Sequence, residues 1–424
     1  MKKRLLSVML SAMLALTGTT TVFAEGTSTE KENVTLTLWY WQNSIQDELL
    51  EKVSEKFPGV TIDAQKFAAD DIEEKINTTI ASGGELPDLL AMDDWIADLL
   101  QYPDSFVNLY DAPCNAADIE DQYVEWKWKK AETPDGKLIA LPMDIGPTCM
   151  FYNAKLFEDA GLPTDPDEVA AAMPTWDDAY SMASKLQEAT PDVKMFDFLS
   201  HIYVATLGQQ KAHLIDQDGN YIADQDHNRT AFMEAAAAKD YVFGGSSEWD
   251  PEWAAALNDH KVAAFVGAVW MKPELISAAP DTAGEWRVTS APGGAGNVGG
   301  SSIGITSSCK NVETAYQVIT WLTNSENQIS SLDKLGLFPS RLEALDDESL
   351  LYPEDFFGGE IVNKYFVQAA KEINDLYYPP NYSSYQAVFE QQLQQVQDQD
   401  KDPDQAFEDA VSETKSMYDL SQIS

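Results

Sequence analysis

Apolar and polar residues alternate over 34–39 (Val-Thr-Leu-Thr-Leu-Trp), the two-residue period of a strand with one buried face. The period then lengthens: Ile45, Leu49, Leu50, Val53 and Phe57 recur every three or four positions, which predicts a helix that Pro58-Gly59 stops. Val60-Thr61-Ile62 predicts a second strand, 72–82 a second helix ended by Gly83-Gly84, and Leu89-Leu90-Ala91-Met92 a third strand buried on both faces. Strand, helix, strand, helix, strand is the order of a parallel sheet covered by helices.

Beyond residue 130 the pattern changes. Short strands are predicted over 138–142 and 150–152, a helix from Trp176 to Glu188, and a turn at Asp216-Gln217-Asp218-Gly219-Asn220. Buried strands follow over 261–269 and 286–292. A glycine-rich bend over 293–302 precedes Ile303-Gly304-Ile305, and helices dominate from Thr314 onward. There is no internal repeat and no long low-complexity linker, so the domains are expected to exchange chain through short strands.

The first residues have a different character. Lys2, Lys3 and Arg4 precede an apolar run over 5–16 and the small-residue site Val22-Phe23-Ala24, which predicts a signal peptide over 1–24, followed by a polar leader over 25–33. Leu16-Thr17-Gly18-Thr19 has the form of a lipoprotein box with Thr19 where the lipid-bearing cysteine would stand, so an exported, non-lipidated protein is expected, periplasmic, extracellular or at the cell surface. No later run approaches the roughly 20 apolar residues of a membrane helix.

Composition narrows the function. With 70 Asp+Glu against 28 Lys+Arg in 424 residues, the formal charge of −42 disfavours nucleic acid and anionic membranes, while 44% hydrophobic content excludes a disordered acidic chain. His201, His213, His227 and His260 lack metal-ligand spacing, and neither a G-x-S-x-G elbow nor a G-x-x-x-x-G-K loop occurs. Gly293-Gly294-Ala295-Gly296 leads into more loop instead of opening a helix, and the acidic runs at Asp216 and Asp398 fail the calcium-loop pattern. No catalytic residue, metal or cofactor is therefore expected. A carboxylate pair for glycoside hydrolysis stays open as an alternative, because its spacing is invisible in a sequence. Cys114, Cys149 and Cys309 are odd in number and are read as buried small hydrophobes, with a single bridge as the alternative.

A series of short motifs in fixed order identifies a family. They are Leu36-Thr37-Leu38-Trp39, Ser82-Gly83-Gly84-Glu85-Leu86-Pro87-Asp88, Asp135-Gly136-Lys137-Leu138-Ile139-Ala140-Leu141-Pro142, and Phe151-Tyr152-Asn153-Ala154-Lys155-Leu156-Phe157 with Ala160-Gly161-Leu162. Pro174-Thr175-Trp176-Asp177, Lys261-Val262-Ala263-Ala264-Phe265 leading to Trp270, Gly299-Gly300-Ser301-Ser302 and Phe338-Pro339-Ser340-Arg341 complete the series. In this order they resemble the extracellular solute-binding proteins of ABC importers, the family that includes the maltose-binding protein. The resemblance implies a two-lobed α/β fold of the periplasmic-binding-protein type, with a hinge and an interlobe cleft. It places the N-terminal lobe at 34–143 and 288–338 and the C-terminal lobe at 144–287 and 339–424. It also implies a monomer that binds a small-molecule carbohydrate, most naturally an oligosaccharide, and delivers it to a membrane permease.

A pyranose has an apolar C–H face and a rim of hydroxyls, so a site for it needs aromatic plates and carboxylates or amides. Open α/β sheets bind ligands beyond the carboxyl ends of their strands. Trp41 and Asn43 follow the first strand, Asp94 and Trp95 the third (with Asp93 beside them), Asp144 the strand at 138–142, and Trp270 the strand at 261–269. Trp39, by its alternation, is expected in the core. From the resemblance, Tyr385 is the expected second plate and Arg341 a residue near the cleft, with an interlobe salt bridge as its alternative. Arg229, Arg287 and Arg341 are the only arginines after the leader, which weakens the alternative of an anionic or peptide ligand.

Overall fold

The computed structural model describes residues 33–245 and 247–422. The expected signal peptide, and the polar leader up to residue 32, lie outside the described residues. Ten strands run through the described chain: β1 (Val34–Trp41), β2 (Val60–Phe67), β3 (Leu89–Met92), β4 (Ala140–Pro142), β5 (Asp144–Ile145), β6 (Thr148–Asn153), β7 (Ala264–Ala268), β8 (Trp286–Thr289), β9 (Ser302–Ile305) and β10 (Phe338–Pro339). They form a five-stranded sheet in the order β2-β1-β3-β9-β4, a three-stranded sheet β7-β6-β8, and the small pair β10-β5.

The first sheet follows from the alternation. Leu36, Leu38 and Tyr40 of β1 are buried while Thr35 and Thr37 are exposed, and β1 pairs in parallel with β2 on one side and β3 on the other. Strand β2 runs five residues past the predicted Ile62, pairing as far as Trp41↔Phe67. It is an edge strand, so its polar residues Asp63, Gln65 and Lys66 face water and leave no apolar period to read. Strand β9 returns from far along the chain to lie antiparallel between β3 and β4.

The second sheet is antiparallel throughout and buried on both faces. Every residue of β6 is buried, and successive side chains enter different cores. Met150 and Tyr152 join Phe196, Tyr203 and Phe389, whereas Cys149 and Phe151 join Phe265, Trp286 and Phe366. The helices Tyr382–Gln399 and Pro403–Ser421 pack in the first of these cores, so the tail belongs with this sheet. The result is two α/β lobes, one on each large sheet.

Three stretches of chain join the lobes side by side. The chain leaves the first sheet at Pro142, forms β5, and enters β6; it returns from Thr289 to Ser302; and Phe338-Pro339 pairs with Asp144-Ile145. The first two are laced together: the Gly146 N–H donates to Asn297 Oδ1 at 2.8 Å and the Val298 N–H to the Gly146 carbonyl at 2.9 Å. A Cβ on Gly146 would lie 1.8 Å from the Val298 oxygen, so only glycine fits. One boundary moves from its expected place. Met150 pairs with Thr289, so residues 288 and 289, expected in the N-terminal lobe, belong to the second sheet. Cys114, Cys149 and Cys309 are buried free thiols, and no helix among the described residues is long and apolar enough to cross a membrane.

Candidate functional site

A pocket of about 310 Å³ opens where the two sheets meet, beside the segment 299–301. Trp41, at the end of β1, Asn43 in the turn after it, and Asp93, just past β3, approach from the first sheet. Trp270, just past β7, and Trp249 approach from the second, and Asp144 of β5 comes from the joining segment. The Trp270 indole is fixed by its Nε1–H, which donates to the Val298 carbonyl at 3.1 Å. Trp249 lies parallel to it, with an interplanar angle of 9° and ring centroids 6.2 Å apart, and is 63% exposed.

Charged groups stand beneath these rings. Asp144 is 4% exposed and accepts hydrogen bonds from the Ser301 N–H at 3.0 Å and from the Ser301 hydroxyl. Burial raises its pKa against the opposing pull of Lys127. Lys127 is fully buried and donates to the Gly300 carbonyl at 2.6 Å; burial lowers its pKa to about 8. Asp93 is pushed up to about 6, first by burial and then by the neighbouring Asp94 and Asp144. Gly300 has φ +99°, and a Cβ there would meet the Asp144 carbonyl oxygen at 2.9 Å, so the segment passes this close only as glycine.

Next along the same segment, Asn297 and Val298 help enclose a chamber of about 160 Å³ with Asp94, His213, Tyr378 and Tyr382. Lys130 pairs with Asp94 of the same lobe and sits 3.5 Å above the centroid of the Tyr378 ring, so the cation–π contact is what links it to the other lobe. His213 is buried, which lowers its pKa to about 3 and keeps it neutral; its Nδ1 lies 3.1 Å from the Tyr382 hydroxyl. Its Nε2 has no hydrogen-bond partner among the described residues. A larger groove of about 780 Å³ between 117–126 and 342–373 lies away from the segment 297–301 and contains none of the strand-end residues.

Of the residues singled out in the sequence, Trp41, Asn43, Asp144 and Trp270 share the first pocket, and Asp94 lines the adjoining chamber. Trp95 lines neither; it packs against Trp41 with centroids 6.4 Å apart. Arg341 is not brought to either cavity. It is buried with its guanidinium over the Tyr123 ring, donating to the Thr323 carbonyl and the Tyr123 hydroxyl at 2.8 Å each. Tyr385 is also absent from both cavities, being 3% exposed in the core. The reason is helix register: about 100° of rotation per residue turns Ser383, Gln386 and Ala387 to the chamber and Tyr385, Val388 and Phe389 inward.

The sequence alone does not mark Trp249, Lys127, Lys130 or Tyr378 as site residues, and it considers His213 only as a metal ligand. Trp249 lies in a loop without periodicity, and the two lysines sit in the charged stretch Glu125-Trp126-Lys127-Trp128-Lys129-Lys130, which reads as a solvated face. Tyr378, just before Pro379-Pro380, carried the one usable signal, an aromatic beside a rigid turn.

Residues 41–329 match the sequence model of the family described as bacterial extracellular solute-binding protein. Among curated proteins, a lactose-binding protein of Rhizobium radiobacter is 25% identical over 349 residues, covering 77% of this chain and 80% of that protein. An arabinooligosaccharide-binding protein of Bacillus subtilis (strain 168) is 22% identical over 444 residues, covering 97% and 98%. Among solved structures, an extracellular solute-binding protein of family 1 superposes with a TM-score of 0.84 at 26% identity, covering 91% of this chain and 100% of that one.

Proposed function

Because this chain belongs to the bacterial extracellular solute-binding proteins, we propose that it captures a neutral carbohydrate, an oligosaccharide, between its two lobes and hands it to the membrane permease of an ABC importer. The observation that carries this reading is the set of three indoles, Trp41, Trp249 and Trp270, around the carboxylates Asp93 and Asp144 and the amide of Asn43. Flat apolar faces above a polar rim match the two surfaces of a pyranose. The names of the lactose- and arabinooligosaccharide-binding relatives point the same way.

The charge balance favours a neutral ligand. No arginine lines the pocket or the chamber, and Lys334, at the pocket wall, is paired with Glu48. The lobes are assigned to the sheets: 34–143 with the segment from 290 to 338, and 144–289 with 339–424. A ligand that touches Trp41 and Asp93 on one lobe and Trp249 and Trp270 on the other favours the closed form by differential contact. Binding without turnover is the proposed role, in an exported, non-lipidated, monomeric protein.

Calorimetry of residues 25–424 against neutral oligosaccharides, sugar phosphates and peptides tests this. Heat is expected with neutral oligosaccharides and no release of shorter sugars afterwards. Heat confined to charged ligands, or sugar products accumulating with time, would overturn it.

A further inference from the structure

We infer that the bound chain extends beyond the interlobe cleft, and that a groove between two helices leading from it to the outer surface takes further units of a linear neutral oligosaccharide. The inference rests on the carbohydrate reading above and adds a site outside that cleft.

The helix Leu199–Gly208 turns Gly208, Val204 and Ser200 to one side, at the four-residue spacing that keeps side chains on a single face. Facing it, antiparallel, the helix Tyr382–Gln399 presents Ser383, Ala387, Gln391 and Gln394. The chamber beside Asn297 holds the Gly208 and Ser383 end of this pair. A second cavity of about 220 Å³ holds the Ser200 and Gln394 end, and the two share Ala387 and Glu390. They are successive widenings of one groove, lined by glycine, serine and alanine at positions where larger side chains would fill the space. From Ser383 to Gln397 the helix rises about 21 Å, well beyond the chamber itself.

The chemistry of the lining suits hydroxyls and not charge. Gln391 and Gln394 are exposed, and their amides have no partner among the described residues. Each offers a donor and an acceptor side by side, the pattern that pairs with neighbouring ring hydroxyls. At the inner end, the unpartnered Nε2 of buried His213 is another polar atom awaiting a ligand group. At the outer end Gln397 is already fixed, donating to the Gly245 carbonyl at 2.9 Å and accepting from the Leu199 N–H at 3.1 Å, so this wall is held in place before anything binds. No lysine or arginine lines either cavity, whereas Asp94 and Glu390 do, which disfavours an anionic chain.

The test is calorimetry with linear arabino-, galacto- and gluco-oligosaccharides, from disaccharides upward, on the wild type, on Gln391→Ala/Gln394→Ala, and on Ala387→Trp, with circular dichroism to show that each variant is folded. Wild-type affinity is expected to rise with length past the disaccharide in the series that binds. The double variant should lose about tenfold for the longer members while leaving the disaccharide unchanged, and Ala387→Trp should abolish the gain with length. Affinity independent of length, or a double variant that binds the long members like the wild type, would overturn this inference and leave the carbohydrate reading standing. No binding by any series would overturn both.

Discussion

At the 299–301 end of the segment 297–301 stand the indoles of Trp41, Trp249 and Trp270; at the 297–298 end, Tyr378 and Tyr382 stand with Asp94 and His213. Open apolar area on the tryptophan side comes from Trp249, 63% exposed, and half-buried Trp270, since Trp41 at 9% is as covered as the tyrosines, which are 6% and 9% exposed and already engaged. Tyr378 lies under the Lys130 ammonium, and the Tyr382 hydroxyl lies against His213. Covering open apolar area is favourable by roughly 25 cal/mol per Å², while a ligand that competes for satisfied polar groups only exchanges one contact for another. The tryptophan side is therefore expected to supply most of the affinity and the tyrosine side the orientation of the ligand.

The sharpest way to break that division uses a ring assigned to neither side. Tyr385→Ala removes a core aromatic, so it should lower unfolding stability by about 3 kcal/mol in urea denaturation and leave the affinity of the folded protein unchanged. Lost affinity at full stability would mean that the helix register is wrong and that Tyr385 meets ligand. Trp270→Ala should do the reverse. Its affinity should fall by about 2 kcal/mol, roughly thirtyfold, and normal binding by this folded variant would remove the basis for the comparison.

A smaller effect separates the charges beneath the rings from the rings themselves. Asp93 has its folded pKa raised to about 6, so the wild type carries a penalty for the ionised carboxylate above that pH, and the penalty disappears as the pH falls through 6 towards the unfolded value near 3.8. Asp93→Asn lacks the penalty. Its Tm advantage over the wild type should be greatest at pH 7 to 8 and shrink below pH 6; a Tm difference that does not change with pH would show that Asp93 is not held at a raised pKa.

Much of the first lobe could be read locally. The alternation in β1, the helical spacing after it and the stops at Pro58-Gly59 and Gly83-Gly84 are short-range signals, and Trp41, Asn43, Asp144 and Trp270 came to notice because they follow predicted strands. The end of β2 was not readable, because an edge strand needs no apolar face, and β6 showed no alternation because both its faces are buried. Tyr385 and its neighbours differ only in helical phase, which depends on where the helix Tyr382–Gln399 begins and on what packs against it. Arg341 lies in the retained motif Phe338-Pro339-Ser340-Arg341, yet its partners Tyr123 and Thr323 stand far off in sequence, so the network that holds it has no local signature. Trp249 gave no signal at all, since nothing periodic surrounds it and its importance comes from the ring it faces.

The most direct test of a carbohydrate held between the lobes is a crystal structure of residues 25–424 with the neutral oligosaccharide that binds most tightly. The account predicts a sugar ring with its C–H face on Trp270, its hydroxyls within hydrogen-bonding distance of Asp93 or Asp144, and contacts to Trp41 across the cleft. A ligand seated away from these residues, or held by one lobe alone, would contradict it.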